Sequence, residues 1–318
     1  MTGLLLIEDV VTEYRTGGRT VRALDGASLA VGAGETVGIV GESGSGKSTL
    51  GLLAGRLLPR TATCPRGRVL VDGQPVLELA DDKIAALRRE RLAFVPQDPI
   101  GALNPTLRIG RQLRLALRGT GADPAALLDQ VRLGPHVLRL YPHQISGGMA
   151  QRVAVAMAMA RKPALLVADE PTAALDSQVR EEILTLLFTL AAEHGTTVLW
   201  LSHDLGGVGR RCERVAVMYG GRIVEEGPTA DVLAAPRHPY TEALLAADPA
   251  RVKDGTRLHT IAGTPPVLAG EPPGCVFAAR CGAREDDCEA VRPQTRTAGG
   301  RTLLCHHPVT AHPEETAR

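Results

Sequence analysis

The chain has 318 residues, 44% hydrophobic and 22% charged, with 36 Lys and Arg against 35 Asp and Glu. That length exceeds the roughly 100–200 residues of a usual single domain, so two or three packing units are expected. A formal net charge of +1 argues against an electrostatic nucleic-acid binder, six cysteines in so long a chain make no disulfide scaffold, and no apolar run approaches the roughly 20 residues needed to cross a bilayer.

The first stretch, "MTGLLLIEDVVTEYR", lacks a basic leader and meets acid by Glu8, so it fails as a secretory signal and the chain is expected to be cytosolic. "LLLIEDVVTEY" and "TVRALDGASLAV" read as short antiparallel strands. "ETVGIVGESGSGKSTLGLLAGRLL" then runs from an apolar strand through a Gly-rich loop into a helix. "GRVLVDGQPV" predicts a hairpin turning at Asp72-Gly73, and "RLAFVPQ" another buried strand. Residues 107–162 predict three or four helices, broken around Gly119–Pro124, Gly134-Pro135 and Pro142. Strand character returns at "ALLVADE" and "TTVLWLS", separated by a helix ending at Gly195. Such alternation predicts an α/β fold with a mostly parallel sheet, an antiparallel edge and a helical subdomain at about 98–162. From about Pro236 frequent prolines predict a separate loop-rich extension, dividing the chain into 1–235 and 236–318.

"GESGSGKS" matches G-x-x-x-x-G-K-[ST] between a strand and a helix, the context of a P-loop nucleoside triphosphatase. Gly41, Glu42, Ser43, Gly44, Ser45, Gly46, Lys47, Ser48 and Thr49 form the candidate phosphate cradle. Gly44 and Gly46 tolerate the backbone angles of an anion nest, and the helix N-terminus adds partial positive charge. Lys47 is expected at the β- and γ-phosphates and Ser48 at Mg²⁺. Asp169 ends the strand of "ALLVADE", where it would hold Mg²⁺ through water, and Glu170 stands one residue on, able to polarise an attacking water.

"YPHQISGGMAQRVAVAMAMARKPALLVADEPTAALD" resembles the ATP-binding-cassette (ABC) family. Its signature stretch here is Ser146, Gly147, Gly148 and Gln151, with Ile145 and Ala150 standing where leucine and a basic residue are usual. Ser146 suits a helix N-cap, and the two glycines leave bare N–H groups for an anion. The resemblance implies that this stretch meets the ATP of a partner cassette in trans. It also implies Gln97 in "FVPQDP" as the loop glutamine at Mg²⁺ and water, facing the membrane partner, and Asp176 in the loop crossing the dimer interface. It further implies His203 at the γ-phosphate, with Tyr14 the candidate for stacking on adenine.

The region "RVAVMYGGRIVEEGPTADVLAAPRHPYTEALLAADP", continued by "IAGTPP", "PPGCVFAARC" and "CHHP", resembles the ATPase subunits of dipeptide and oligopeptide ABC importers. This implies ATP-driven cassette dimerisation coupled to two transmembrane permease subunits at the cytoplasmic face of the membrane. A second, similar ATPase subunit is implied, making a heterodimer, with a solute-binding protein as an indirect partner. Relatives handling nickel or glutathione, and a soluble ABC-type ATPase with a metal- or redox-sensing tail, are the alternatives.

Cys64 and Cys212 stand alone and read as small hydrophobes. Cys275, Cys281, Cys288 and Cys305 cluster in the tail without a C-x2-C pair. Four thiolates suit Zn²⁺ or a [4Fe–4S] cluster, His306 or His307 could replace one cysteine at zinc, and unmetallated thiols or disulfides complete the choices. Some members of the resembled family carry an iron–sulfur cluster at this cysteine set.

Overall fold

In parallel sheets both faces of a strand are covered, so central strands read as unbroken apolar runs. Two such runs, Leu165–Asp169 and Thr197–Ser202, are buried along their whole length in the computed structural model, which describes residues 3–172, 175–251 and 259–309. The chain divides into two compact units.

The first unit holds the described residues of 1–5, 31–35 and 71–201. Strand Leu165–Asp169 pairs in parallel with Leu92–Val95 on one side (Leu92 opposite Leu165) and with Thr197–Ser202 on the other (Asp169 opposite Leu201). The crossover helix Ser177–His194 buries Ile183, Leu184, Leu187, Leu190 and Ala191, one face at helical spacing. The Asp176 carboxylate caps it by accepting from the Val179 amide at 3.0 Å, and Gly195 ends it at φ +63°. The expected helical segment comprises Pro99–Ala102, Ile109–Ala116, Pro124–Gln130 and Gly147–Met159, with 3₁₀ turns at Pro135–Arg139 and Pro142–Gln144. Asp98 and Asp123 each cap a helix whose first residue is proline, which loses no donor there. The hairpin turn is also present, with φ +52° at Asp72 and +74° at Gly73. A helix over Asp81–Glu90 was not anticipated.

The second unit holds the described residues of 6–30, 36–70 and 202–318. Strands Arg19–Val31, Leu5–Thr16 and Ala62–Val71 form an antiparallel sheet in that order. The strand before the Gly-rich loop, Thr36–Val40, pairs in parallel with Arg214–Tyr219 (Val37 opposite Arg214). Arg214–Tyr219 turns through Gly220 and Gly221 into the antiparallel Arg222–Pro228. The tail then adds two strands, Arg301–Leu303 against Arg222–Pro228 and Arg296–Ala298 outside it. The described tail residues therefore share a sheet with the P-loop strand. Residues 252–258 and 310–318 of the expected extension lie outside the described residues, as do Ala173 and Ala174 of "PTAALD".

Candidate nucleotide site

Strand Thr36–Val40 delivers the chain into the loop, and helix Lys47–Ala54 leads it away. Gly46 occupies the N-cap position at φ +106°, where a Cβ would stand 2.6 Å from the Ala23 carbonyl oxygen. Backbone approach of this kind is what only glycine permits. Lys47 is 6% exposed, and its Nζ donates to the carbonyls of Gly41 (2.8 Å) and Glu42 (3.0 Å). Ser43, Gly44 and Ser48 are exposed, whereas Ser45 and Thr49 are buried. The Ser45 carbonyl accepts from the Gly221 amide at 2.9 Å, tying the loop to the Gly220-Gly221 turn. Tyr14 is half-buried, with its hydroxyl 3.1 Å from Thr49 Oγ1, so the expected adenine platform sits beside the P-loop helix. His203 is exposed just after strand Thr197–Ser202, and the next residue, Asp204, caps helix Leu205–Arg211 by accepting from Gly207.

In the first unit Asp169 is 7% exposed at its strand end. Glu170 adopts φ +41°, a left-handed conformation rare for a side-chain-bearing residue, while its amide donates to Leu201 O at 2.9 Å. Gln97 is exposed, with Nε2 3.5 Å from Glu170 Oε2. The Glu170 carboxylate thus stands beside the loop glutamine. Ser146 Oγ accepts from the Met149 amide at 3.3 Å, capping helix Gly147–Met159 as expected. A cavity of about 190 Å³ brings Gln97 together with Gly147, Gln151, Thr172 and Leu175. Gln151 is 1% exposed, and its Nε2 is buried with no hydrogen-bond partner among the described residues. Ile145 and Ala150, the two departures in the signature, are both interior, so neither presents a side chain to an approaching anion. Gln97 and Asp169 in the first unit, and Ser48 in the second, each carry an oxygen donor of the kind Mg²⁺ takes.

The tail cysteines are neighbours. The Cys275 amide donates to Cys288 O at 2.7 Å. Burial pushes the Cys305 thiol up to about 12, and the other three cysteines push in the same direction. Burial likewise raises Cys275 and Cys281. Mutual repulsion of this kind is what a bound cation would relieve. Among the described residues, the ligand atoms that gather three together within 4.8 Å are those of Asp287, Cys288 and His307; no three of the four thiols do. Four sulfurs at about 2.3 Å from one zinc stand about 3.8 Å apart. Cys212 is buried and pushed up to about 12 by that burial, and Cys64 Sγ lies 3.4 Å from Thr12 Oγ1, both consistent with inert thiols.

Residues 24–173 match the ABC transporter family model. The dipeptide transport ATP-binding protein DppD of Bacillus subtilis is 39% identical over 96% of this chain and 95% of its own length. The chain belongs to the ABC transporter ATP-binding family. Residues 224–288 of this cassette protein match a second model, the oligopeptide/dipeptide transporter C-terminal region. The oligopeptide transport ATP-binding protein OppD of Salmonella typhimurium is 40% identical, covering 96% of this chain and 94% of its own. Among solved structures, the dimeric post-hydrolysis ATP-binding cassette MJ0796 bound to ADP and Pi superposes with a TM-score of 0.63 at 33% identity, over 71% of this chain and 98% of that one. As an ABC ATPase the protein binds and hydrolyses ATP. Sequence reasoning assigned no role to Tyr240 and Arg280, which hold Glu42 of the P-loop from 198 and 238 residues away.

Proposed function

We propose that this cassette is the ATP-hydrolysing subunit of an importer of dipeptides or oligopeptides. The observation that carries the reading is the match of residues 224–288 to the oligopeptide/dipeptide transporter C-terminal region, beside peptide-import relatives aligned over nearly the whole chain. Lys47 and the loop amides hold the β- and γ-phosphates, Tyr14 supports the adenine, and Glu170 orders the attacking water with Gln97 and His203. Ser48, Gln97 and Asp169 would hold Mg²⁺, which when bound neutralises phosphate charge. Ser146, Gly147, Gly148 and Gln151 of one cassette serve the ATP of the other, with Asp176 at the shared interface. The second cassette is a similar but distinct chain, giving a heterodimer.

Closure of the pair drives two transmembrane permease subunits at the cytoplasmic face, fed by a solute-binding protein. Among the described residues no helix is long and apolar enough to cross a membrane. A groove of about 830 Å³ next to the Gln97 loop supports permease docking: its floor includes Phe94, Leu103 and Met157, and Arg88, Arg118 and Arg161 also line it. Cys275, Cys281, Cys288 and Cys305 would hold a [4Fe–4S] cluster, which when bound cross-links the Pro-rich tail. Zn²⁺ is the alternative, favoured by the Asp287, Cys288 and His307 grouping.

The test is uptake. In a strain lacking the gene, the wild-type chain should restore ATP-dependent import of a labelled dipeptide and Lys47→Ala should not; unchanged import in the deletion strain refutes the reading. Anaerobic purification with metal analysis and a visible spectrum tests the tail, where a colourless protein with one zinc refutes the cluster.

A further inference from the structure

The cysteine-bearing turn is wound tightly: Ala278 N donates to Cys275 O (3.1 Å), Arg280 N to Phe277 O (2.9 Å) and Cys281 N to Ala278 O (3.2 Å). It presents Arg280, whose side chain is 5% exposed, to the phosphate loop. Its NH1 donates to Glu42 Oε2 at 2.7 Å and its NH2 to Glu42 Oε1 at 3.1 Å, a two-pronged carboxylate clamp. The remaining donors go to Tyr219 Oη (3.1 Å), Ala262 O (2.7 Å) and Ile261 O (3.2 Å), so all five guanidinium N–H groups are used. Phe277, three residues earlier, is buried against Tyr219 (ring centroids 5.1 Å) and Tyr240 (5.3 Å). Tyr240 in turn accepts from the Glu42 amide at 2.9 Å. The Glu42 carbonyl receives Lys47 Nζ and, at 3.2 Å, the Ser45 amide. One residue of the loop is therefore gripped through carboxylate and amide while its carbonyl orients the phosphate-binding lysine.

A carboxylate on an anion-binding loop opposes a triphosphate unless it is neutralised and turned away. Arg280 does both, and the residue that does so lies one position before Cys281. We infer that Arg280 is a positioning residue through which the cysteine-bearing turn of the tail sets the affinity of the phosphate loop for ATP. This rests on the nucleotide reading of the loop and adds to it a route by which the state of the tail reaches the ATP site.

The experiment measures the Kd for Mg-ATP and steady-state hydrolysis on the full chain, with thermal unfolding followed in parallel. Arg280→Ala should raise Kd and KM about tenfold, within the range for residues sharing one ion-pair network, and change kcat far less. Arg280→Lys should fall between the two, since an ammonium cannot reproduce the fork. Adding Glu42→Gln to Arg280→Ala should return Kd to within about threefold of wild type, because the uncompensated charge is gone. Cys281→Ser should weaken ATP binding in the wild-type chain and add nothing in that double variant. A merely structural arginine would lower the unfolding temperature without this rescue. Wild-type affinity in Arg280→Ala, or a double variant as weak as the single one, overturns the inference. If Arg280→Ala does not fold, an Arg280→Lys chain that folds and binds ATP as tightly as wild type overturns it equally. Failure of the wild-type chain itself to bind ATP removes the nucleotide reading and this inference with it, and so is told apart from the outcomes above.

Discussion

Acid should weaken the fold through one histidine that caps the helix carrying Tyr240, the hydroxyl partner of the Glu42 amide. His238 is 1% exposed; its Nδ1 accepts from the Tyr240 amide at 3.0 Å, capping helix Pro239–Ala246, and its own amide donates to Glu225 at 3.0 Å. Burial pushes its imidazole down to about 3. The unfolded chain regains the ordinary value of about 6.5. The folded value is depressed, so the neutral-histidine stability is fully present above about pH 6.5. As pH falls from there toward 3, the unfolded state binds a proton that the folded state refuses, and stability drops by about 1.4 kcal/mol per pH unit. At pH 5 the loss is about 2 kcal/mol, a sizeable part of a typical folding free energy of about 5–15 kcal/mol. Urea unfolding of wild type and His238→Asn at pH 7.5 and pH 5.0 measures it. Asparagine keeps an acceptor at the cap but cannot titrate, so the variant, less stable at both pH values, should lose about 2 kcal/mol less between them. Parallel losses in the two proteins would refute the reasoning.

Glu170→Gln should slow hydrolysis by about 10²–10⁴ while ATP stays bound and the cassette pair stays closed, read by single-turnover kinetics and gel filtration. Hydrolysis at the wild-type rate would remove Glu170 as the base. Gly46→Ala places a methyl 2.6 Å from the Ala23 carbonyl and 2.8 Å from Met218 Cε at φ +106°, so unfolding stability should fall by about 2–3 kcal/mol and ATP binding should be lost. Leu115 is 57% exposed on the groove beside the Gln97 loop; Leu115→Asp should leave ATP hydrolysis by the isolated subunit intact and sharply reduce ATP-driven dipeptide uptake in the assembled transporter.

The phosphate loop was legible because its chemistry demands contiguous residues: a strand, glycines at fixed steps, a lysine and a hydroxyl. The same holds for Ser146 and Asp176, whose capping bonds span only three residues. What lay beyond the sequence was any contact without a period. Helix Asp81–Glu90 buries only Ile84 and Leu87 and its N-cap, Ala80, makes no side-chain bond, so neither amphipathic spacing nor a cap marked it. The tail strands Arg296–Ala298 and Arg301–Leu303 are three residues each, too short for alternation to register, and the frequent prolines suggested a separate body where the chain adds strands to a sheet.

Buried acids explain why the tail takes that position. Asp25, 1% exposed, receives Arg22, Arg222 and, from the tail, Arg292 at 3.0 Å. Glu225, equally buried, receives the amides of Arg237 and His238 and the guanidinium of Arg301. Half-buried Glu42 receives Arg280 on its carboxylate and donates its amide to the Tyr240 hydroxyl. Such pairs contribute little net stability against apolar substitutes, yet removing one partner strands a desolvated charge at a cost of about 3–5 kcal/mol. They therefore fix where the tail sits more than how strongly it folds. A chain cut after residue 235 would leave Glu225 without all three donors and Glu42 without both of its tail partners. Asp25 also donates its amide to Gly221 O, and Gly221 donates to Ser45 O, so a second of these acids leads back to the phosphate loop. The region that matches the peptide-transporter model is thus structurally continuous with the ATP site, and residues 1–235 are not expected to form a competent cassette by themselves.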